Sequence, residues 1–88
     1  MSLHSALKAI EPRIEFVLAG ASDSGKTQVW EAAVEDGTIL GVVSFFGRWR
    51  CYAFWPHQRT VFDKGCLREI ADFCERETVA WRKRKAHP

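Results

Sequence analysis

Apolar residues recur at helical spacing near the start of the chain, at Leu3, Ala6, Leu7 and Ile10, and Pro12 closes the run. This spacing predicts a short N-terminal helix over residues 1–12. Residues 13–19 read as a strand rich in Ile, Phe, Val and Leu. Gly20 to Gly25 is small and polar and reads as a loop. Val29, Trp30 and Val34 mark a second strand over 27–35, followed by Asp36-Gly37. A strand, an Asp-Gly pair and a further apolar run form a strong hairpin signal. The next strand spans 38–46, Gly47 opens a turn, and 49–55 forms the last strand. Pro56 ends it, because proline cannot donate to a ladder.

The clearest helix begins at Asp63, whose carboxylate suits the free amides of a first helical turn. Phe62 and Leu67 stand at hydrophobic-staple spacing. Cys66, Leu67, Ile70, Ala71, Phe73 and Cys74 form the apolar stripe. Arg68–Asp72 and Asp72–Arg76 place opposite charges four residues apart. The helix is expected over 63–81, followed by a basic tail over 82–88. One apolar helix face must cover one sheet face. The predicted fold class is therefore α+β: a three- to four-stranded antiparallel meander over 13–56, packed against a long C-terminal helix, with the short N-terminal helix. At 88 residues this is one domain over 1–88.

Composition narrows the class without naming a partner. Apolar residues make up 47% and charged residues 27%, which fits a globular chain and not a disordered one. No apolar run approaches the roughly 20 residues that span a bilayer. The start lacks the basic and apolar regions of a signal peptide. Cys51, Cys66 and Cys74 cannot close a disulfide set, so free thiols and a cytoplasmic setting are expected. The net charge of +2 is unevenly spread. Residues 1–47 carry three basic and six acidic side chains, a balance of −3, whereas residues 48–88 carry ten and five, a balance of +5. The clusters at Arg48 and Arg50 and at Arg82-Lys83-Arg84-Lys85 suit an anionic partner such as nucleic acid; they equally suit a solvated surface with a frayed tail.

Gly20-Ala21-Ser22-Asp23-Ser24-Gly25-Lys26-Thr27 matches the phosphate-loop pattern G-x-x-x-x-G-K-[ST] and follows an apolar strand. A working phosphate loop must open a helix, so that backbone amides cradle the phosphates. Here Asp36-Gly37 would cut such a helix short, and Val29, Trp30 and Val34 suit a strand better. The segment is expected to be a connector. A nucleotide binder, or a weak anion loop at Gly20, Gly25, Lys26 and Thr27, is the minor alternative.

On the last strand, alternation puts Arg50, Tyr52 and Phe54 on one face and Trp49, Cys51, Ala53 and Trp55 on the other. The small pair Cys51 and Ala53 suggests that their face receives the helix. Tyr52 and Phe54 beside Arg50 would then form an aromatic and cationic platform of the kind that stacks bases. The competing reading buries them, since the preceding strand is apolar on both faces. Cys51 and His57 offer a nucleophile and a base at one strand end, but no orienting carboxylate is evident. No histidine has metal-ligand spacing with a cysteine, and neither a metal nor a cofactor is expected.

The residues Trp49-Arg50-Cys51-Tyr52-Ala53-Phe54-Trp55-Pro56, Thr60-Val61-Phe62 and Cys66-Leu67-Arg68-Glu69-Ile70-Ala71-Asp72-Phe73 give the chain a W-R-x-Y-x-F-x-P … T-V-F-x-x-x-C-L-x-x-I-A-x-F pattern. In this it resembles small phage and prophage proteins over roughly residues 26–77. The resemblance implies a phage origin and a strand over 27–35, but no catalytic or ligand role. The expected function is that of a non-enzymatic phage or prophage accessory protein. It would bind nucleic acid or a host nucleoprotein through Arg48, Arg50, Arg59 and Arg82–Lys85, with Tyr52 and Phe54. The alternative is an inhibitor of a host defence nuclease, of the anti-CRISPR kind, that binds a protein complex through aromatic anchors. Exposed tryptophans would also suit a homodimer.

Overall fold

Turn chemistry sets the topology. In the computed structural model, which describes residues 13–86, Glu35-Asp36-Gly37 forms the tight connection expected of its Asp-Gly pair. Gly37 takes φ 92°, the Gly37 amide donates to Val34 O (2.8 Å), and the Asp36 carboxylate accepts the Thr38 amide (2.9 Å). Glycine adopts that φ without a Cβ penalty. The turn joins β2 (Gln28–Val34) to β3 (Ile39–Phe46). With β1 (Ile14–Ala21) and β4 (Cys51–Pro56), these strands make one antiparallel sheet in the order β1-β2-β3-β4. The expected N-terminal helix over 1–12 lies outside the described residues.

The sheet is covered on one face by α1 (Lys64–Ala86). Asp63 caps the helix by accepting the Cys66 amide (2.9 Å) and also holds Arg13 through two contacts (2.7 and 3.0 Å). The helix is longer than expected: Arg82–Lys85 belong to its last turns and are not a tail. Lysine and arginine are good helix formers, and their charge favours the negative end of the helix dipole. Among the described residues the one ion pair is Arg13–Asp63, so the expected Arg68–Asp72 and Asp72–Arg76 pairs do not close. Such exposed pairs contribute too little to fix two long side chains.

The helix stripe that faces the core is formed by buried Ile70, Phe73 and Thr78 with partly buried Cys66, Cys74 and Trp81, which continues the 3.6-residue period beyond Cys74. Leu67, by contrast, is 52% exposed, and Phe62 packs edge-to-face on Phe54 at 5.4 Å, so the expected staple is not what fixes the helix entry. Phe73 is the centre of the core: Phe16 stacks on it at 4.0 Å and Trp30 meets it edge-on at 5.2 Å.

The helix also ties down both sheet edges. The Glu69 carboxylate accepts the Arg13 and Ile14 amides (both 3.0 Å) at β1, and Thr78 Oγ1 accepts the Tyr52 amide (2.9 Å) at β4. Edge strands present unpaired amides, and these contacts satisfy one set on each side.

Candidate functional site

The sheet faces are the reverse of the platform reading. Tyr52 is buried at 3% exposure beneath the helix, and Phe54 packs into the same core. The Tyr52 hydroxyl accepts the Gln28 amide (3.2 Å). Neither ring is presented to solvent as a stacking surface. The cause lies in where the small residues sit. Ala32 and Gly41, both buried on β2 and β3, make the room that Cys51 and Ala53 were expected to make. The Phe54 ring lies over Gly41 so closely that a Cβ there would meet it at 2.6 Å. With Ala32 opposite Gly41 and Val43 opposite Phe54, register carries the large aromatics of β4 to the helix side.

The open face therefore carries the other alternation. Its β4 members are Cys51, Ala53 and Trp55, with Val42 paired to Trp55 and Val17 paired to Glu31. Trp55 is 47% exposed. Phe46 meets both Trp55 (5.6 Å) and Trp49 (4.8 Å) edge-to-face.

Lys26, Arg48, Arg50 and Arg82–Lys85 gather at one end of the molecule. In a four-stranded meander the β1–β2 loop and the β3–β4 turn lie at the same end. The first holds Lys26 and the second Arg48 and Arg50. Helix α1 crosses from β1 to β4 and brings its C-terminus to that end, where Trp81 packs on Phe45 at 4.6 Å. Arg50 and Lys85 both lie over the Trp81 ring, at 5.6 and 5.3 Å. Trp49, Arg50, Trp81, Arg82 and Lys85 line one open groove of about 420 Å³. Among the described residues no carboxylate stands within 4 Å of any cation at this end.

The turn that holds Arg48, Trp49 and Arg50 is tight. The Trp49 and Arg50 amides both donate to Phe46 O (3.1 and 2.9 Å), and Arg50 closes the turn at φ 56°. A non-glycine residue there costs on the order of 1–2 kcal/mol. Backbone strain at a surface arginine is a feature that glycine would remove.

The remaining sequence candidates separate. Arg59, at φ 63°, follows β4 at the far end, so the length of that strand divides it from Arg50, roughly 20 Å at strand rise. Cys51 opens β4 and His57 follows its last residue, so these two stand at opposite ends and not at one. Burial pushes the Cys74 thiol up to about 11, with Cys51 nearby adding to the shift. Among the described residues no group of three or more His, Cys, Asp or Glu side chains could hold a metal ion.

The phosphate-loop letters do not form a phosphate loop. Thr27 is followed by β2, a strand and not a helix. Four of the loop's amides are spent inside the hairpin loop. Ser22 N donates to Thr27 O (2.8 Å), Gly25 N to Ser22 O (2.8 Å), Lys26 N to Ser24 Oγ (3.3 Å) and Thr27 N to Ser22 Oγ (3.3 Å). Thr27 itself is buried at 8% exposure. Gly20, Gly25 and Thr27 thus serve the hairpin, and only the Lys26 side chain is left to contribute charge.

Sequence reasoning found Arg50, Arg82 and Lys85 but missed Trp49 and Trp81 as their companions. The signal was present: Trp49 is flanked by arginines, and Trp81 directly precedes the basic run. No helix among the described residues is long and apolar enough to cross a membrane. No protein-family model matches the chain, and neither a curated protein nor a solved structure does.

Proposed function

We propose that the chain is a non-enzymatic binding module for nucleic acid and that the basic end is its contact surface. The observation that carries this reading is the convergence of Arg48, Arg50 and Arg82–Lys85 from two separate elements without carboxylate partners among the described residues. Uncompensated charge of one sign raises the local concentration of a polyanion and contacts its phosphates. The resemblance to phage and prophage proteins sets this module in an infected or lysogenic bacterium, acting on nucleic acid or a host nucleoprotein.

The test is fluorescence anisotropy of a labelled thymidine oligomer of about 15 nucleotides, titrated with the full chain and with a variant carrying Arg48→Glu, Arg50→Glu, Arg82→Glu and Lys85→Glu. The intact chain binds at low salt and the variant does not. Equal binding by both would remove the reading.

A second reading rests on the open sheet face. Trp55, Val17 and the Phe46–Trp49 pair suit aromatic anchoring of a protein partner, such as a host defence nuclease complex or a second copy of this chain. Capture from a bacterial lysate treated with nuclease separates the two: a partner that survives the treatment is held by protein contact.

A further inference from the structure

We infer that the basic end takes single-stranded nucleic acid in preference to duplex, with an unpaired base stacked on Trp49. This rests on the nucleic-acid reading above and adds a binding residue to it.

The aromatic rings differ in how free they are. Tyr52 and Phe54 are packed beneath the helix. Trp81 is already occupied, with Phe45 against it and Arg50 and Lys85 over its ring. Trp49 is different. It is 69% exposed, the most exposed of the large aromatic side chains. Its ring is nevertheless positioned, by an edge-to-face contact with Phe46 at 4.8 Å and 88° and by a turn whose amides are hydrogen-bonded. An exposed but braced indole offers a flat apolar surface at little further cost in side-chain entropy.

Charge surrounds that surface. Arg48 and Arg50 flank Trp49 in the chain, and Arg82 and Lys85 line the groove it shares with Trp81. Cations that track a backbone, with an aromatic side chain for the bases, are what a single strand requires. In a duplex the base faces are stacked on one another, and Trp49 would have nothing to stack on without the cost of unstacking a step. Phosphate contacts alone would leave the exposure of Trp49 unused. Every base has an aromatic face, so this site favours unpaired strands with little preference for sequence.

The experiment compares three ligands at one low salt concentration: the labelled thymidine oligomer, the same oligomer annealed to its adenosine complement, and that complement alone. Each is titrated with the full chain and with Trp49→Ala and Trp49→Phe. Tryptophan fluorescence is followed alongside anisotropy, and thermal melting confirms that the variants fold, as expected for so exposed a side chain. The intact chain binds the single strands more tightly than the duplex. Trp49→Ala weakens single-strand binding by about 5- to 100-fold and leaves duplex binding unchanged. Trp49→Phe retains part of the affinity while losing most of the fluorescence quenching. Equal affinity for duplex and single strand, with Trp49→Ala neutral on both, overturns the stacking inference and leaves the nucleic-acid reading in place. Absence of binding to all three overturns both.

Discussion

The Tyr52 backbone amide donates to Thr78 Oγ1 at 2.9 Å, and the same hydroxyl donates to Cys74 O at 2.8 Å. One buried hydroxyl thus joins an edge strand to the helix that covers it. The contact fixes the helix where its C-terminal turns meet the β3–β4 turn, which is what brings Arg82 and Lys85 beside Arg50. Thr78→Val keeps the shape but leaves the Tyr52 amide without its acceptor. That substitution should cost about 1–3 kcal/mol in urea unfolding, and Thr78→Ser should recover most of it.

Gly41 leaves no room for a side chain beneath the Phe54 ring. An added Cβ would meet the ring at 2.6 Å and the Trp55 carbonyl at 2.5 Å. The ring can turn away but the carbonyl cannot. Gly41→Ala should therefore destabilise by about 1–3 kcal/mol, and trimming the ring with Phe54→Leu should rescue only part of that loss. Chemical denaturation of the two single variants and the double variant measures this coupling.

Arg13 donates to Asp63 and holds its carboxyl well below the usual carboxylate range, helped by the Cys66 amide. A depressed carboxyl contributes stability above its unfolded pKa and loses it as pH falls toward the folded value. The melting temperature of the intact chain should fall between about pH 5 and pH 2, and Asp63→Asn should flatten that dependence while lowering stability at neutral pH. Parallel melting curves for the two proteins across that range would show that the pair does not carry the effect.

Much of the fold is legible in local chemistry. Asp36-Gly37 announces its hairpin, Pro56 ends its strand, and Asp63 caps its helix, because each acts through its own backbone. The sidedness of β4 is not legible in the same way. Alternation separates Tyr52 and Phe54 from Cys51 and Ala53, but it does not say which pair the helix covers. That choice is made by Ala32 and Gly41 on other strands, through register. The phosphate-loop letters mislead for a related reason: they specify side chains, whereas the function depends on free amides and a following helix, and β2 supplies neither. For the candidate site, the cationic members stand out in the sequence as clusters. Trp49 and Trp81 stand beside those clusters in the sequence, but which of the two rings stays free is decided only where the turn and the helix end meet.

Arg50 separates stability from function. Its φ of 56° is unfavourable for a residue with a Cβ. Arg50→Gly should stabilise the fold by about 1 kcal/mol or leave it unchanged, while weakening oligonucleotide binding. Thermal melting and anisotropy on the same sample read both effects. A variant that loses stability and binding together would indicate that the arginine serves the turn and not a ligand.

The most direct test of the basic end is the salt dependence of binding to the thymidine oligomer by the full chain. If Arg48, Arg50, Arg82 and Lys85 each neutralise one phosphate, together they contribute about −3 to the log–log slope of affinity against salt. Replacing all four with glutamine should make the slope shallower by about that amount, with Lys26, Lys83 and Arg84 left to supply the remainder. A slope near zero in the intact chain, or an unchanged slope in the variant, would contradict the assignment of this end as a polyanion-binding surface.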